Sequence, residues 1–337
     1  MKIAIISLTE KGLKLSKKIK RNLDKDSTII KTNIYYKSVK QNMNKAFIEY
    51  DAIITIMATG IVIRSISKLI KSKTKDPAII NIDENGNFVI SLLSGHIGGA
   101  NELSKKLSIL LDAENVITTA TDVNQKIAID YLAYKFYLNI LNPENIVFFN
   151  KAILEGRKIT LNINKNSNFK YLEDYIKNNT LEMHLQKCEN PEILNGEIVA
   201  EINNHKLFLK EKELVVGIGC RKGKTENEIL FGINKALNDL NLDISRVNYL
   251  STGDMKKNEE GIINLSENLK IPLKIISKDK LQLFTSNDCT KSDFVYKNFG
   301  VYGVCESSAM ISAGFDSKLI YKKTPFNGVT IAIAISK

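Results

Sequence analysis

The chain has 337 residues, of which 44% are hydrophobic and 25% are charged, and its formal net charge is +11. This length suits two or three globular domains. Its apolar runs fall short of the ~20 residues that a membrane-spanning helix needs. The first of them is too short for a secretory signal, so we expect a cytoplasmic protein without a membrane partner.

The positive charge would suit an acidic partner, such as nucleic acid or a polyanionic small molecule. Lysine is frequent along the whole chain, however, so a compositional bias explains the charge equally well. Neither an aromatic-rich basic tract nor zinc-finger spacing is present, and we expect no nucleic-acid partner. The four cysteines and three histidines are scattered, which predicts free thiols and no metal site.

Residues 1–140 alternate strand-like and helix-like patterns, which predicts a layered N-terminal α/β domain with a mainly parallel sheet. The turn Glu84–Asn87 between two apolar runs predicts a hairpin. The predicted strands are Lys2–Leu8, Asp51–Met57, Ala78–Asp83, Phe88–Leu92 and Val116–Thr119, and the predicted helices are Glu10–Asn22, Ile61–Ile70 and Gly98–Leu111.

Residues 141–213 predict a small α+β connector domain, and residues 214–337 a second, C-terminal α/β domain. The overall fold class is therefore α/β, with two layered α/β domains joined by a small α+β middle segment. In the C-terminal domain, strands are expected at Leu214–Ile218, Ser245–Leu250, Leu273–Ser277 and Val329–Ile335, with helices at Glu226–Leu240, Asn258–Leu269 and Ser307–Ala313.

The segment Ser91–Glu102 carries His96 in a glycine-rich turn between a predicted strand and a predicted helix. Glycines let a ligand approach the backbone, and a helix N-terminus offers free amides to an anion. A histidine there can exchange a proton near neutral pH. The structural alternative is a helix cap with a surface histidine. The three glycines around His96 favour a functional role for this residue. The candidate residues are Gly95, His96, Gly98, Gly99 and Asn101.

Two further strand ends carry polar residues. Gly60 and Arg64 follow the strand Asp51–Met57, and an arginine in a first helical turn can clamp a carboxylate or simply be exposed. Asp122, in the run Thr118–Asn124, can cap a helix or serve as an acid or base.

The segment Gly217–Thr225 is rich in glycine and basic residues. It fails the spacing of a P-loop and also that of the dinucleotide fingerprint GxGxxG. What remains is a turn suited to an anion, with Gly219, Arg221, Lys222 and Gly223 as its candidate residues.

Glu306 and Cys305 begin the last predicted helix. Glu306 is a candidate acid or base and Cys305 a candidate nucleophile. Structural roles compete for both, as a dipole partner and as a buried packing residue.

The sequence resembles the cobalt-precorrin-5A hydrolases, the CbiG family, over nearly its whole length. The resemblance is strongest in residues 51–130 and 214–337. It rests on six segments in chain order: ATGIVIR, NIDENGNFVISLLSGHIGGANELS, TTATD, VVGIGCRKG, GVCESSAM and KTPFNGVTIAIA.

This resemblance implies a reaction in anaerobic cobalamin (vitamin B12) biosynthesis. The substrate would be a cobalt-containing tetrapyrrole with a δ-lactone; water would open the lactone, and a two-carbon fragment would leave as acetaldehyde. We expect no cofactor, because the cobalt is carried by the substrate. A homodimer and transient contacts with neighbouring pathway methyltransferases are further expectations.

Residue types suggest roles in that reaction. His96 is the candidate base for water, and the amides of Gly98 and Gly99 are candidate oxyanion donors. Glu306 or Asp122 would handle the proton of the carbon–carbon cleavage. The basic residues Arg64, Arg221 and Lys222 suit the carboxylates of the substrate.

Three other functions compete with this one. A non-catalytic corrinoid carrier or scaffold would use the same basic turns. A nucleotide-dependent enzyme is disfavoured by the failed motif spacings, and a nucleic-acid protein is suggested by the charge alone.

Overall fold

The computed structural model describes residues 1–190, 192–194 and 196–337. The chain forms two compact units. The first comprises Met1–Asp26, Lys31–Ser167 and Leu172–Glu211, and the second comprises Ser27–Ile30, Asn168–Tyr171 and Lys212–Lys337. The domain boundaries at 140 and 213 stay predictions. In the described ranges no helix is long and apolar enough to cross a membrane.

The first unit contains a six-stranded sheet with the order β2-β1-β3-β4-β5-β6. Its strands are β1 (Lys2–Ser7), β2 (Lys31–Tyr36), β3 (Ala52–Ile56), β4 (Ala78–Ile82), β5 (Phe88–Leu93) and β6 (Glu114–Val116). All residues of β3 and β4 are buried, as expected for parallel strands that helices cover on both faces.

Five helices of this unit connect the strands or follow them: α1 (Glu10–Leu23), α2 (Val39–Glu49), α3 (Thr59–Ile66), α4 (Ala100–Leu111) and α5 (Ala120–Val123). The side chain of Thr9 caps α1 by accepting a hydrogen bond from the amide of Gly12 at 3.0 Å. Gly12, Ser16, Ile19 and Leu23 form the buried stripe of α1, which leaves its lysines on the outer face.

The predicted hairpin is confirmed, because β5 pairs antiparallel with β4. The strands β1 to β4 run parallel to one another. Along the direction of the strands, the carboxyl end of β5 therefore lies at the opposite end from the carboxyl ends of β1 to β4. This reversal decides which polar residues meet.

A second sheet of the first unit has the order β7-β11-β10-β8-β9 and is mostly antiparallel. Its strands are β7 (Leu138–Ile140), β8 (Ile159–Asn164), β9 (Met183–Cys188), β10 (Glu197–Ile202) and β11 (His205–Glu211). The helices of this region are α6 (Ile129–Lys135), α7 (Ile146–Leu154) and α8 (Lys170–Asn179). Alternating burial along β8 shows that one face of the sheet is covered.

The second unit has a five-stranded sheet with the order β14-β13-β12-β16-β15. Its strands are β12 (Leu214–Cys220), β13 (Tyr249–Gly253), β14 (Leu273–Ile276), β15 (Lys318–Phe326) and β16 (Val329–Ile335). Its helices are α9 (Glu226–Asp239), α10 (Glu260–Leu269), α11 (Lys278–Leu283), α12 (Asp293–Phe299) and α13 (Cys305–Ala313). The helix α13 packs directly on β12, because a Cβ on Gly217 would lie 1.9 Å from the carbonyl oxygen of Cys305. The predicted α/β fold class is confirmed.

Candidate active site

His96 lies in a compact turn between β5 and α4. The amide of Asn101 donates to the carbonyl of Gly95 at 3.0 Å and closes the turn. Gly98 has no room for a side chain, since an added Cβ would lie 2.5 Å from the Cβ of Ser94. His96 is only 9% exposed, so the glycines serve to pack the turn around a nearly buried imidazole.

Both ring nitrogens of His96 are hydrogen-bonded to carboxylates. Nε2 lies 2.7 Å from Oδ2 of Asp122, and Nδ1 lies 3.1 Å from Oδ1 of Asp130. The Asp130 side chain is 5% exposed, whereas that of Asp122 is 21% exposed. We call this arrangement the Asp122–His96–Asp130 row. Its accessible end is the carboxylate of Asp122, and the structure thus brings together two of the predicted catalytic residues.

A buried asparagine holds Asp122 in place. Nδ2 of Asn101 donates to Oδ2 of Asp122 at 3.0 Å and lies 3.3 Å from Oγ1 of Thr119. Its Oδ1 accepts a hydrogen bond from Ser91 at 2.6 Å. Asn101 is 2% exposed, so its geometry suits the positioning of Asp122 better than the predicted contact with substrate.

The two carboxylates set the charge of His96. Burial alone would lower the pKa of the imidazole, but the hydrogen bonds to Asp122 and Asp130 outweigh burial and raise this pKa to about 9. Burial would likewise raise the pKa of each carboxyl, and the bonds to His96 outweigh it and hold both below their usual range. His96 is therefore an imidazolium at neutral pH. This ring cannot accept a proton, so the geometry argues against the predicted role of His96 as the base and favours a role as proton donor.

A pocket of about 230 Å³ is lined by His96 and Asp122, two members of the Asp122–His96–Asp130 row. Nζ of Lys105 lies 3.9 Å from Oδ1 of Asp122 on one side of the pocket. The rest of the lining comes from Gln125, Lys126, Ile127, Ala128, Tyr131 and Tyr175. The pocket therefore has a charged end at Asp122 and His96, and the rest of its lining mixes polar side chains with aromatic and aliphatic ones.

Two tyrosines, Tyr131 and Tyr175, form an aromatic wall of the pocket. The ring of Tyr131 stands edge-on to the imidazole of His96, with ring centroids 6.3 Å apart. Burial raises the pKa of Tyr131, and its side chain is hydrogen-bonded to that of Tyr175. Since Tyr175 belongs to α8, the region that the sequence marked as a connector contributes to the pocket.

The amide of Gly99, a predicted oxyanion donor, is already used within the turn. It donates to the carbonyl of His96 at 2.9 Å. Gly99 has a φ of +82°, and a Cβ there would lie 2.6 Å from the hydroxyl of Tyr134, so packing explains this glycine. An oxyanion role stays a prediction for the amide of Gly98.

Gly60 and Arg64 lie at the opposite end of the strands of the first sheet from His96. They follow β3, whose last residue, Ile56, pairs with Ile82 at the carboxyl end of β4. The turn with His96 follows β5, which runs the opposite way. The guanidinium of Arg64 folds back to 3.3 Å from the position of a Cβ on Gly60. The structure therefore does not bring this pair together with His96.

The glycine-rich basic turn belongs to the second unit, between β12 and α9. The amide of Gly223 donates to the carboxylate of Glu259 at 3.1 Å. The amide of Thr225 donates to the carboxylate of Glu228 at 2.9 Å, within a capping box. Side chains of the protein thus occupy amides that were predicted to hold an anion.

The other residues of this turn have mixed environments. A Cβ on Gly219 would lie 2.6 Å from Oγ1 of Thr330. The amide of Arg221 donates to the carbonyl of Gly328 at 2.9 Å, while Arg221 and Lys222 are exposed residues. A role of these two side chains in binding carboxylates stays a prediction.

Glu306, the third predicted catalytic residue, is 1% exposed and belongs to the second unit. Its carboxylate accepts hydrogen bonds from the amides of Thr290 at 2.6 Å and Lys323 at 2.9 Å. These bonds give Glu306 a structural role. Burial raises the pKa of the neighbouring Cys305 thiol to about 11, which disfavours it as a nucleophile.

Asp130 and Tyr175 were missed in the sequence. The available signal for Asp130 is its place within the apolar run Ile127–Leu132, where an acid is costly to bury without partners. Tyr175 gives no such signal, because it stands in an ordinary amphipathic pattern.

Within the described residues, no group of three histidine, cysteine or acidic side chains could hold a metal ion. The Asp122–His96–Asp130 row does not qualify, because its carboxylates bind opposite sides of the imidazole.

Two family models match the chain. The model Cobalamin synthesis G N-terminal matches residues 41–122, and the model Cobalamin synthesis G C-terminus matches residues 214–334. The first range includes His96 and ends at Asp122. Asp130 and Tyr175 lie between the two matched ranges.

Curated relatives match over most of the sequence. A protein of Methanocaldococcus jannaschii named "Probable cobalt-precorrin-5A hydrolase" is 35% identical over 99% of this chain and 99% of its own length. A cobalt-precorrin-5A hydrolase of Salmonella typhimurium is 32% identical over 87% of this chain and 84% of its own.

A solved structure is similar as well. The crystal structure of a cobalamin biosynthesis protein G homologue from Sulfolobus solfataricus has a TM-score of 0.58 and 28% identity, covering 99% of this chain and 97% of that one. With the two family models and the nearly full-length relative at 35% identity, these similarities show that the chain belongs to the cobalamin synthesis G family.

Proposed function

We propose that this protein is a cobalt-precorrin-5A hydrolase of cobalamin biosynthesis. It opens the δ-lactone of cobalt-precorrin-5A with water and releases acetaldehyde, which leaves cobalt-precorrin-5B. One observation carries the proposal: an imidazolium and a carboxylate, those of His96 and Asp122, meet at 2.7 Å on the wall of a pocket. Lactone hydrolysis needs a base and a proton donor side by side.

Asp122 is the base in this scheme. Its Oδ2 is held by His96 and Asn101, which leaves Oδ1 on the side of Lys105. Oδ1 takes a proton from water as the water oxygen attacks the lactone carbonyl. Fixing one carboxylate oxygen aims the other, and this preorganisation is a usual source of catalytic power.

His96 is the proton donor. As the acyl C–O bond breaks, the ring oxygen of the lactone leaves as an alkoxide and takes the Nε2 proton of His96. The proton that Asp122 received on Oδ1 then passes through a water molecule in the pocket to Nε2 of the imidazole, which restores their 2.7 Å hydrogen bond. His96 and Asp122 thereby regain their starting protonation states, and one water molecule has been added across the acyl C–O bond.

The second step breaks a carbon–carbon bond. The hydroxyl freed from the lactone gives its proton to Asp122 as its C–O bond becomes the carbonyl of acetaldehyde. The electron pair of the broken bond passes into the macrocycle, which takes up the proton that Asp122 received, so the carboxylate of Asp122 is regenerated. Since the same carboxylate serves both steps, Glu306 has no part in this scheme.

The size of the pocket limits what enters it. Its volume of about 230 Å³ is below the ~300–1,000 Å³ typical of sites for drug-sized ligands. A tetrapyrrole is larger still, so only the lactone-bearing edge of the substrate enters. The apolar faces of Tyr131 and Tyr175 suit the methyl group of the departing two-carbon fragment.

The proposal extends to partners and location. The enzyme uses no cofactor of its own, since the cobalt is part of the substrate, and it acts in the cytoplasm. A homodimer and transient contacts with the pathway methyltransferases fit a labile intermediate that passes between enzymes.

The test is anaerobic incubation of the protein with cobalt-precorrin-5A in ¹⁸O-labelled water. The expected result is release of acetaldehyde and one ¹⁸O atom in the newly freed carboxylate of the product. If the folded protein binds the substrate tightly but releases no acetaldehyde, it is a corrinoid carrier. If acetaldehyde forms without label in the carboxylate, the lactone is not opened by attack of water on its carbonyl.

A further inference from the structure

A second carboxylate lies behind His96, on the side away from Asp122. Oδ1 of Asp130 is 3.1 Å from Nδ1 of His96. We propose that Asp130, held by Asn150, is a positioning residue: it fixes the Nδ1 proton of His96 and thereby aims Nε2 at Asp122. This inference rests on the proposed function, because it assigns how the proton donor of that reaction is kept ready.

The burial of Asp130 supports a role through His96. Its side chain is 5% exposed, and it is absent from the residues that line the pocket. A buried carboxylate is costly unless its oxygens are bonded. Because it cannot meet substrate directly, any influence on the reaction passes through the imidazole.

Asn150 supplies a clamp for this carboxylate. Its Nδ2 donates to Oδ1 of Asp130 at 2.9 Å, while its Oδ1 accepts from the amide of Ile129 at 3.0 Å. One side chain of α7 thus binds both the first turn of α6 and the carboxylate that this turn carries. The same oxygen of Asp130 contacts Asn150 and His96, so the position of the imidazole depends on α7.

The charge around His96 comes from several elements. Nζ of Lys73 lies 3.9 Å from Oδ2 of Asp130, and Nζ of Lys105 lies 3.9 Å from Oδ1 of Asp122. The ring of Tyr131 faces the imidazole edge-on, and its raised pKa keeps it neutral. The two carboxylates are therefore the negative charges in contact with His96, and each binds one N–H.

The position of the clamp in the sequence has a consequence. Asp130 and Asn150 fall between the two segments that the family models match, residues 41–122 and 214–334. Asn150 lies in the region that the sequence marked as a connector, so this region contributes a side chain that holds Asp130.

The test is an NMR titration of the His96 ring in the full-length protein, with its signals assigned by comparison with His96→Gln. In Asp130→Asn the pKa of His96 is expected to fall by about one unit or more, because a contacting negative charge is lost. Asp76→Asn is the matched control: Asp76 is a buried aspartate of the same unit that accepts from the amide of Lys71. It should leave the titration of His96 unchanged.

A second variant protects the test against misfolding. Asn150→Ala keeps the carboxylate and removes its clamp, so the Nδ1–H signal of His96 should exchange with water faster while the ring stays charged at neutral pH. An unchanged His96 pKa in Asp130→Asn, or unchanged exchange in Asn150→Ala, would overturn the proposal. Both readouts are independent of turnover, so an inactive wild type would contradict the proposed function and leave this inference standing.

Discussion

Nε2 of His96 and Oδ2 of Asp122 lie 2.7 Å apart, and this bond joins the turn after β5 to the short helix α5. It makes an ion pair from a ring and a carboxylate that are 26 positions apart in sequence. Because Asp122 is also bound by Asn101, the pair keeps one geometry.

The charge of His96 makes the stability of the protein depend on pH. The folded-state pKa, about 9, lies above the ordinary value of 6.5. The stabilising contribution is therefore complete below pH 6.5 and is lost as the pH rises to about 9. We expect a loss of about 3 kcal/mol in the free energy of unfolding across this window.

Urea unfolding of the wild type and of His96→Gln measures this loss. The variant lacks the titrating ring, so its stability should change less over the same window. Equal pH dependence in the two proteins would show that folding does not raise the pKa of His96. His184→Gln is the control, since His184 is an exposed histidine on β9.

The rate of acetaldehyde release should also depend on the His96 proton. The imidazolium is the proton donor, so kcat/KM is expected to fall as the pH rises through about 9. Steady-state rates across alkaline pH check this, with the natural substrate as limiting reagent. A fall centred near 6.5, the ordinary value, would contradict the ion pair.

The aromatic wall should govern substrate binding more than chemistry. Tyr175→Ala opens the pocket beside Tyr131 and is expected to raise KM about tenfold with a smaller change in kcat. Tyr175→Phe keeps the ring and is the matched control; its KM should stay near that of the wild type. A large loss of kcat in Tyr175→Phe would instead assign chemistry to the hydroxyl.

Glu306 should matter for stability. The backbone amides of Thr290 and Lys323 donate to different oxygens of the carboxylate. Glu306→Gln replaces one of these oxygens with an NH₂ group, so one of the two amides loses its acceptor. A destabilisation of about 1–3 kcal/mol is expected, the usual cost of an unsatisfied buried group. Thermal unfolding measures it, and the rate per folded molecule should match the wild type. A large fall in that rate would return Glu306 to the catalytic residues.

Most of the fold could be predicted because the strands of both α/β sheets are short apolar runs with turn residues between them. The run Val329–Ile335 was predicted with its observed bounds. The helix α2 was not predicted, because its sequence, VKQNMNKAFIE, mixes polar and apolar residues without a clear period.

The candidate site could be predicted in part. The glycine-rich turn pointed to His96, and the strand-end position pointed to Asp122. The contact between His96 and Asp122 depends on how α5 packs against the turn after β5. No local sequence pattern predicts this packing. Asp130 resembles an ordinary acid in a first helical turn, and only the fold shows that it points at an imidazole.

The direction of β5 explains why Arg64 and His96 do not share a site, although both were predicted to belong to one. A rule that places ligands at the carboxyl ends of parallel strands would unite both turns. Because β4 runs parallel to β3 and antiparallel to β5, the turn after β3 and the turn after β5 lie at opposite ends of the strands.

The central claim is that His96 and Asp122 together carry out the hydrolysis. Anaerobic incubation of cobalt-precorrin-5A with wild type, His96→Gln, Asp122→Asn and the control His184→Gln, followed by acetaldehyde trapping, tests it most directly. We expect acetaldehyde from the wild type and the control, and a loss of about 10²–10⁴-fold in the other two, with substrate still bound. Acetaldehyde release at the wild-type rate from folded His96→Gln or Asp122→Asn would contradict the account.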